Sequence, residues 1–147
     1  MRRLMIVLTT LTLAACAAEA PDPGIRERYS GTATADAALR QRVLLDTATY
    51  WAAIAAGDWQ AAYDRYTLDY QERVPFGEWR LMRHDDWATK PRVLSIHWTE
   101  DAQRQHGPEL YAIVEWTARA DRAGSGGTLV WRRDDGVFHL ENSIVRP

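Results

Sequence analysis

His97 and His139 each fall in the middle of a stretch that alternates apolar and polar residues, so their imidazoles could meet across a sheet. A histidine pair placed so can bind a metal or shuttle protons. The four histidines show neither H-x-H nor H-x-x-x-H spacing, so no metal-ligand pattern supports that chemistry, and both read as surface or cross-strand partners. His84 and His106 read as exposed. Glu115 and Glu141 also stand mid-stretch; each must face water or a pocket, because carboxylates are rarely buried alone. Ser125 lies in G-S-G-G, which lacks a nucleophile's strand-to-helix elbow and reads as a hairpin tip. No glycine-rich loop leads from a strand into a helix, as phosphate binding would need. The aromatic load is heavier than these signals, with seven Trp and six Tyr. Trp51, Trp59, Tyr63, Trp79, Trp98, Trp116 and Trp131 lie on segments that would meet in one core. Trp51, Tyr63, Trp79, Trp98, Trp116 and Trp131 either line a deep apolar pocket or fill that core, since both use the same pattern. Were Trp98, Trp116 and Trp131 on an outer sheet face, they would form a protein-binding patch.

The N-terminus tells where such a domain would work. Arg2 and Arg3 precede an apolar run over residues 4–15. At 1.5 Å per residue that run is too short to span a hydrocarbon core of about 30 Å, and its order is that of a secretory signal. Leu13-Ala14-Ala15-Cys16 resembles the lipobox of bacterial lipoproteins. The resemblance implies that Cys16 receives a diacylglyceryl thioether, becomes the new N-terminus and is acylated there. Several acyl chains anchor stably where one is marginal. Ala17, not Asp, follows; in a lipoprotein of a two-membrane cell this favours the outer membrane, facing the periplasm. The expected partner of Cys16 is therefore the membrane.

Removing residues 1–15 leaves 132 residues, enough for one domain. The lone cysteine is the anchor, so no disulfide is expected within the chain. Without Arg2 and Arg3 the charge moves from −2 to −4, with signs mixed, which is not the field of a nucleic-acid binder. No cofactor is expected. Residues 16–35 contain Pro21, Pro23, Gly24 and Gly31 and read as the lipidated cysteine plus a flexible tether, with the domain over 36–147.

From Asp36, a capping residue, Leu39, Val43, Thr47, Tyr50 and Ile54 recur at helical spacing, widened by Leu44 and Trp51. Gly57 suits the left-handed end of that helix, and Asp58 caps a second carrying Trp59, Ala62, Tyr63 and Tyr66. Val74-Pro75 breaks the chain before a short helix with Phe76, Trp79 and Met82 on one side. After Pro91 the period becomes two. Strands are predicted over 93–100, 110–121, 128–133 and 137–145, with Asp134-Asp135-Gly136 as a tight turn. Helices followed by an antiparallel meander define an α+β fold.

The segment YWAAIAAGDWQAAYDRYT, the Pro-Phe-x-x-Trp helix and four following strands resemble the nuclear-transport-factor-2-like (NTF2-like) superfamily, which includes SnoaL-like cyclases and ketosteroid isomerase. The resemblance covers about residues 36–147 and implies a curved sheet of about four strands wrapped on the long helix, with a pocket at the wide end. That superfamily hosts enzymes, binding modules and scaffolds, so fold does not decide function. Isomerase-type catalysis needs a base beside a carbon acid and two donors at the nascent enolate. Candidate donors are Tyr63, Tyr66 and Tyr70; candidate acids or bases are Asp86, Glu115 and Glu141. For the tyrosines, packing with a satisfied hydroxyl is the simpler reading, and for Asp86, beside Asp85, a solvated helix end. The expectation is a non-catalytic envelope lipoprotein binding a partner protein or an apolar small molecule. The alternatives are a SnoaL or isomerase-type enzyme using Tyr63, Asp86 and His139 as donor, base and proton carrier, and a sheet-to-sheet homodimer.

Overall fold

The computed structural model describes residues 24–83, 91–101, 109–117 and 126–146. The chain is α+β, with one five-stranded mixed sheet and four helices among these residues. In chain order the elements are β1 (Arg26–Tyr29), α1 (Ala37–Ala55), α2 (Trp59–Tyr63), α3 (Leu68–Arg73), α4 (Phe76–Leu81), β2 (Arg92–Asp101), β3 (Glu109–Thr117), β4 (Gly126–Asp134) and β5 (Val137–Arg146). The sheet order is β1-β2-β3-β4-β5; β1 runs parallel to β2 and the rest form an antiparallel meander.

Two expectations are corrected here. The sheet has five strands, not about four, and the extra one comes from the stretch whose composition assigns it to a flexible tether. Arg26–Tyr29 pairs with Ser95–Trp98, and Ser30 N–H donates to the Trp98 carbonyl at 2.9 Å. The pairing is held by side chains as well. Glu27 forms a 2.5 Å ion pair with Arg40 of α1 and accepts from Trp98 Nε1 at 3.2 Å. Pro21, Pro23 and Gly24 precede the strand without interrupting it.

The helix starts and stops follow their capping residues. Asp36 accepts from Leu39 N–H at 2.8 Å and Asp58 from Ala61 N–H at 3.1 Å. Gly57 lies at φ +72, the left-handed backbone that lets the chain leave α1. Removing either cap leaves a first-turn N–H without its partner. Asp36→Ala and Asp58→Ala are each expected to lower stability by about 1 kcal/mol in urea unfolding. The β4–β5 turn has Asp135 at φ 46 and Gly136 at φ 83, the two positive angles of a tight two-residue hairpin.

The helical stripe of α1 buries Val43, Thr47, Tyr50, Trp51 and Ile54 as its spacing predicts, and Asp46 besides. Asp46 is tolerated there because Arg42 at 2.8 Å and Arg65 at 3.4 Å reach its carboxylate. Opposite α1, the sheet contributes Ile96, Trp98, Ala112, Val114, Trp116, Leu129, Trp131, Phe138 and Leu140 to the same core. Edge-to-face ring contacts join the layers: Trp51 to Trp116 at 4.6 Å and Tyr50 to Trp131 at 6.4 Å.

Candidate functional site

Strand pairing also decides which polar groups turn inward. In β5, Phe138 and Leu140 face the core, and simple alternation would send Asn142 after them. The register shifts between Val130 and Trp131 of β4, so Glu141 becomes the extra residue and Ser143, opposite Leu129, points inward instead. There Ser143 Oγ meets the Tyr66 hydroxyl at 2.7 Å and accepts from Arg83 Nη2 at 2.7 Å. Arg83 also donates to the Tyr66 hydroxyl at 3.1 Å, and the Tyr50 hydroxyl lies 3.1 Å from that of Tyr66. The guanidinium stands over the Trp79 ring at 4.9 Å. A cation, three hydroxyls and an indole face thus form one buried cluster at the helix–sheet interface. Burial works against the Arg83 charge, but the hydroxyls of Tyr66 and Tyr50 outweigh it and its pKa is raised.

Burial, reinforced by Tyr66, holds the Tyr50 hydroxyl well above its ordinary 10.0. A group whose folded pKa is raised stabilises the fold below its unfolded pKa and loses that contribution as pH rises through the folded value. Stability is therefore expected to fall as pH climbs above about 10. Urea unfolding across that range should give a flatter pH profile for Tyr50→Phe; an unchanged slope would refute the assignment.

A second feature lies at the far edge of β5. Residues 65–67 run alongside that strand: Leu140 N–H donates to the Arg65 carbonyl at 2.8 Å and Thr67 N–H to the Leu140 carbonyl at 2.8 Å. Thr67 then caps α3 through Tyr70 N–H at 3.2 Å. Between this segment and the outer sheet face opens a cleft of about 270 Å³, lined by Asp64, Tyr66, Asp69, Arg132, Asp134 and His139 among others. Arg132, only 8% exposed, pairs with Glu141 at 3.3 Å, Asp69 at 3.6 Å and Glu109 at 4.0 Å. One guanidinium among several carboxylates leaves the cleft with a negative surplus.

The structure places the sequence candidates as follows. His139 and Tyr66 line the cleft. Tyr63 does not; its hydroxyl donates to the Val74 carbonyl at 2.7 Å and braces the α3–α4 junction. Tyr70 stacks on Tyr66 at 4.3 Å. Glu115 is on the face away from the helices, accepting from Ser95 Oγ at 2.5 Å with Arg28 at 3.7 Å. His97, on that same face, contacts Ser30 Oγ at 2.5 Å. His97 and His139 belong to β2 and β5, three strand spacings or roughly 14 Å apart, so they do not pair. Cys16, His84, Asp86, His106 and Ser125 lie outside the described residues. Among the described residues no group of three His, Cys, Asp or Glu could hold a metal ion.

The aromatic set is brought together in the interior. Trp79, Trp98 and Trp131 are fully buried, and Trp51, Tyr63 and Trp116 nearly so, all within one cluster. None of the six lines the cleft. Trp98, Trp116 and Trp131 are buried in the core, which removes the outer tryptophan patch as a ground for a dimer. Arg83, Arg132 and Ser143 were missed by sequence reasoning. Arg132 had a signal, a cation mid-strand on the side opposite Trp131; Arg83 and Ser143 had none. Comparison with protein-family models, curated proteins and solved structures finds no match to this chain.

Proposed function

We propose that this chain is an envelope lipoprotein, held by lipid on Cys16, whose NTF2-like domain is a non-catalytic module that binds a partner protein at the Arg132–His139 cleft. The observation that carries the reading is the division of space. Aromatic rings pack together between the helices and the sheet, while the cleft is lined by polar and apolar surface alike and has a surplus of carboxylates. A protruding lysine or arginine of a partner fits both its size and its sign. The test is a photo-crosslinking residue at Leu68, which is 75% exposed beside the cleft, in the intact anchored chain. The expected result is a discrete adduct, mapped to a basic segment, that weakens about tenfold with Asp69→Asn and Asp134→Asn together. No adduct, or one indifferent to those charges, would sink the reading.

A second reading is favoured by one observation, the linked hydroxyls of Tyr50 and Tyr66 backed by Arg83. They supply the two donors that an isomerase-type enzyme of the SnoaL kind would aim at an enolate oxygen. His139, across the cleft lining from Tyr66, would carry the proton. Turnover of a carbon-acid substrate that survives both Tyr66→Phe and His139→Gln unchanged would exclude it.

A further inference from the structure

The sheet is electrically polarised along its strands. Arg92 begins β2, Arg26 lies beside Ser95 and Arg28 beside His97 midway along that strand, and all three are exposed. Among the described residues, the acidic ones of that half are engaged: Glu27 with Arg40, and Glu115 with Ser95 and Arg28. The opposite end, where β2 finishes, β3 starts and β4 turns into β5, carries Glu100, Asp101, Glu109, Asp134 and Asp135 against Arg132 and Arg133. The cleft belongs to that acidic end.

The chain enters the fold at the basic end. Cys16 and Arg26 are about ten residues apart, so a fully extended connection reaches no more than about 35 Å. Arginine suits phosphate, offering a planar fork of donors, and its attraction to an anionic surface acts within a Debye length of about 8–10 Å. A tether of this length lets the arginines come within that range, whereas the acidic end would be repelled. We propose that the Arg26–Arg28–Arg92 end of the sheet rests on anionic phospholipid headgroups of the bilayer that holds the acyl chains of Cys16. The acidic end and its cleft then point away from the membrane. This rests on the lipid-anchor reading.

The experiment uses the intact chain purified with its lipid and reconstituted into phosphatidylcholine vesicles with and without phosphatidylglycerol. A fluorophore on Val137→Cys, at the acidic end, reports energy transfer to a headgroup acceptor. Ten residues of strand separate the ends by about 33 Å, so transfer is expected to drop about twofold when phosphatidylglycerol is present. The drop should vanish in high salt and in the combined Arg26→Gln, Arg28→Gln, Arg92→Gln variant, and persist in Glu100→Gln. Equal transfer in the two vesicles, a rise, or a drop that survives the arginine changes would overturn the orientation. Mass analysis of the Cys16 peptide separates the two ideas. An unmodified thiol removes the anchor and the proposal with it, while a lipidated Cys16 with equal transfer removes the orientation alone.

Discussion

Trp131→Ala is expected to cost about 3–5 kcal/mol, a large share of the 5–15 kcal/mol that holds a typical domain folded. Trp131 is fully buried at the centre of the sheet, opposite Ala112 on one side and Leu140 on the other, with its ring against Tyr50 at 6.4 Å. α1 and the strands are held in place by packing against the removed ring, so the hole cannot close easily. Trp131→Phe makes the sharper comparison. The Trp131 Nε1 is buried and has no hydrogen-bond partner among the described residues. Its desolvation opposes folding by about 1–3 kcal/mol, and phenylalanine removes that cost along with part of the volume. The net loss for Trp131→Phe is therefore expected near 1 kcal/mol. Urea unfolding should show both midpoints shifted with unchanged slopes. If Phe cost as much as Ala, the indole N–H would have to be satisfied in the native state.

Gly127→Ala should be damaging despite adding one carbon. A Cβ there would stand 2.0 Å from the Ile144 carbonyl oxygen and 3.0 Å from Trp116 Cζ2. The first neighbour is backbone of the adjoining strand and the second is a buried ring packed edge-to-face against Trp51, so neither yields cheaply. The cost is expected at about 3 kcal/mol, the upper end for overpacking. The control is Gly77→Ala in α4, where an added Cβ meets nothing within 4 Å. That change should be neutral or slightly stabilising, because alanine is the better helix former. Thermal melts of the two variants side by side decide it; comparable losses would mean the β4–β5 pairing relaxes around the new carbon.

Local rules made much of the α+β layout readable in advance. Helical spacing from Leu39 to Ile54, the caps Asp36 and Asp58 and the Asp135-Gly136 turn are all determined within a few residues, so the chain reports them directly. Strand β1 was not readable. Its four residues are mostly exposed, and what makes them a strand is Ser95–Trp98, far along the chain. The bulges were equally silent. At Val93 to Ser95 the shift turns Val93 toward the core, where alternation favours Leu94. At Glu141 a similar shift sends Ser143 inward, and with it the Arg83–Tyr66 cluster came into being. Period-two reading assumes an unbroken ladder, so each inserted residue reverses every assignment beyond it. The candidate cleft was half visible. His139 stood out as a mid-strand titratable residue, but its neighbours Asp64 and Asp69 arrive from a different element, by the pairing of residues 65–67 with β5.

That first strand also sets an order of events in time. β1 is among the earliest parts of the domain to be synthesised, and its partner β2 lies about seventy residues later. Closing a loop of that size comes before any reward from the contact, which is why such pairings slow folding. The helices can form locally as they emerge, and the β2–β5 meander can zip by successive hairpins. β1 has nothing to join until β2 exists. The first strand would thus be the last to dock, and a chain stalled before residue 95 would expose it to proteases.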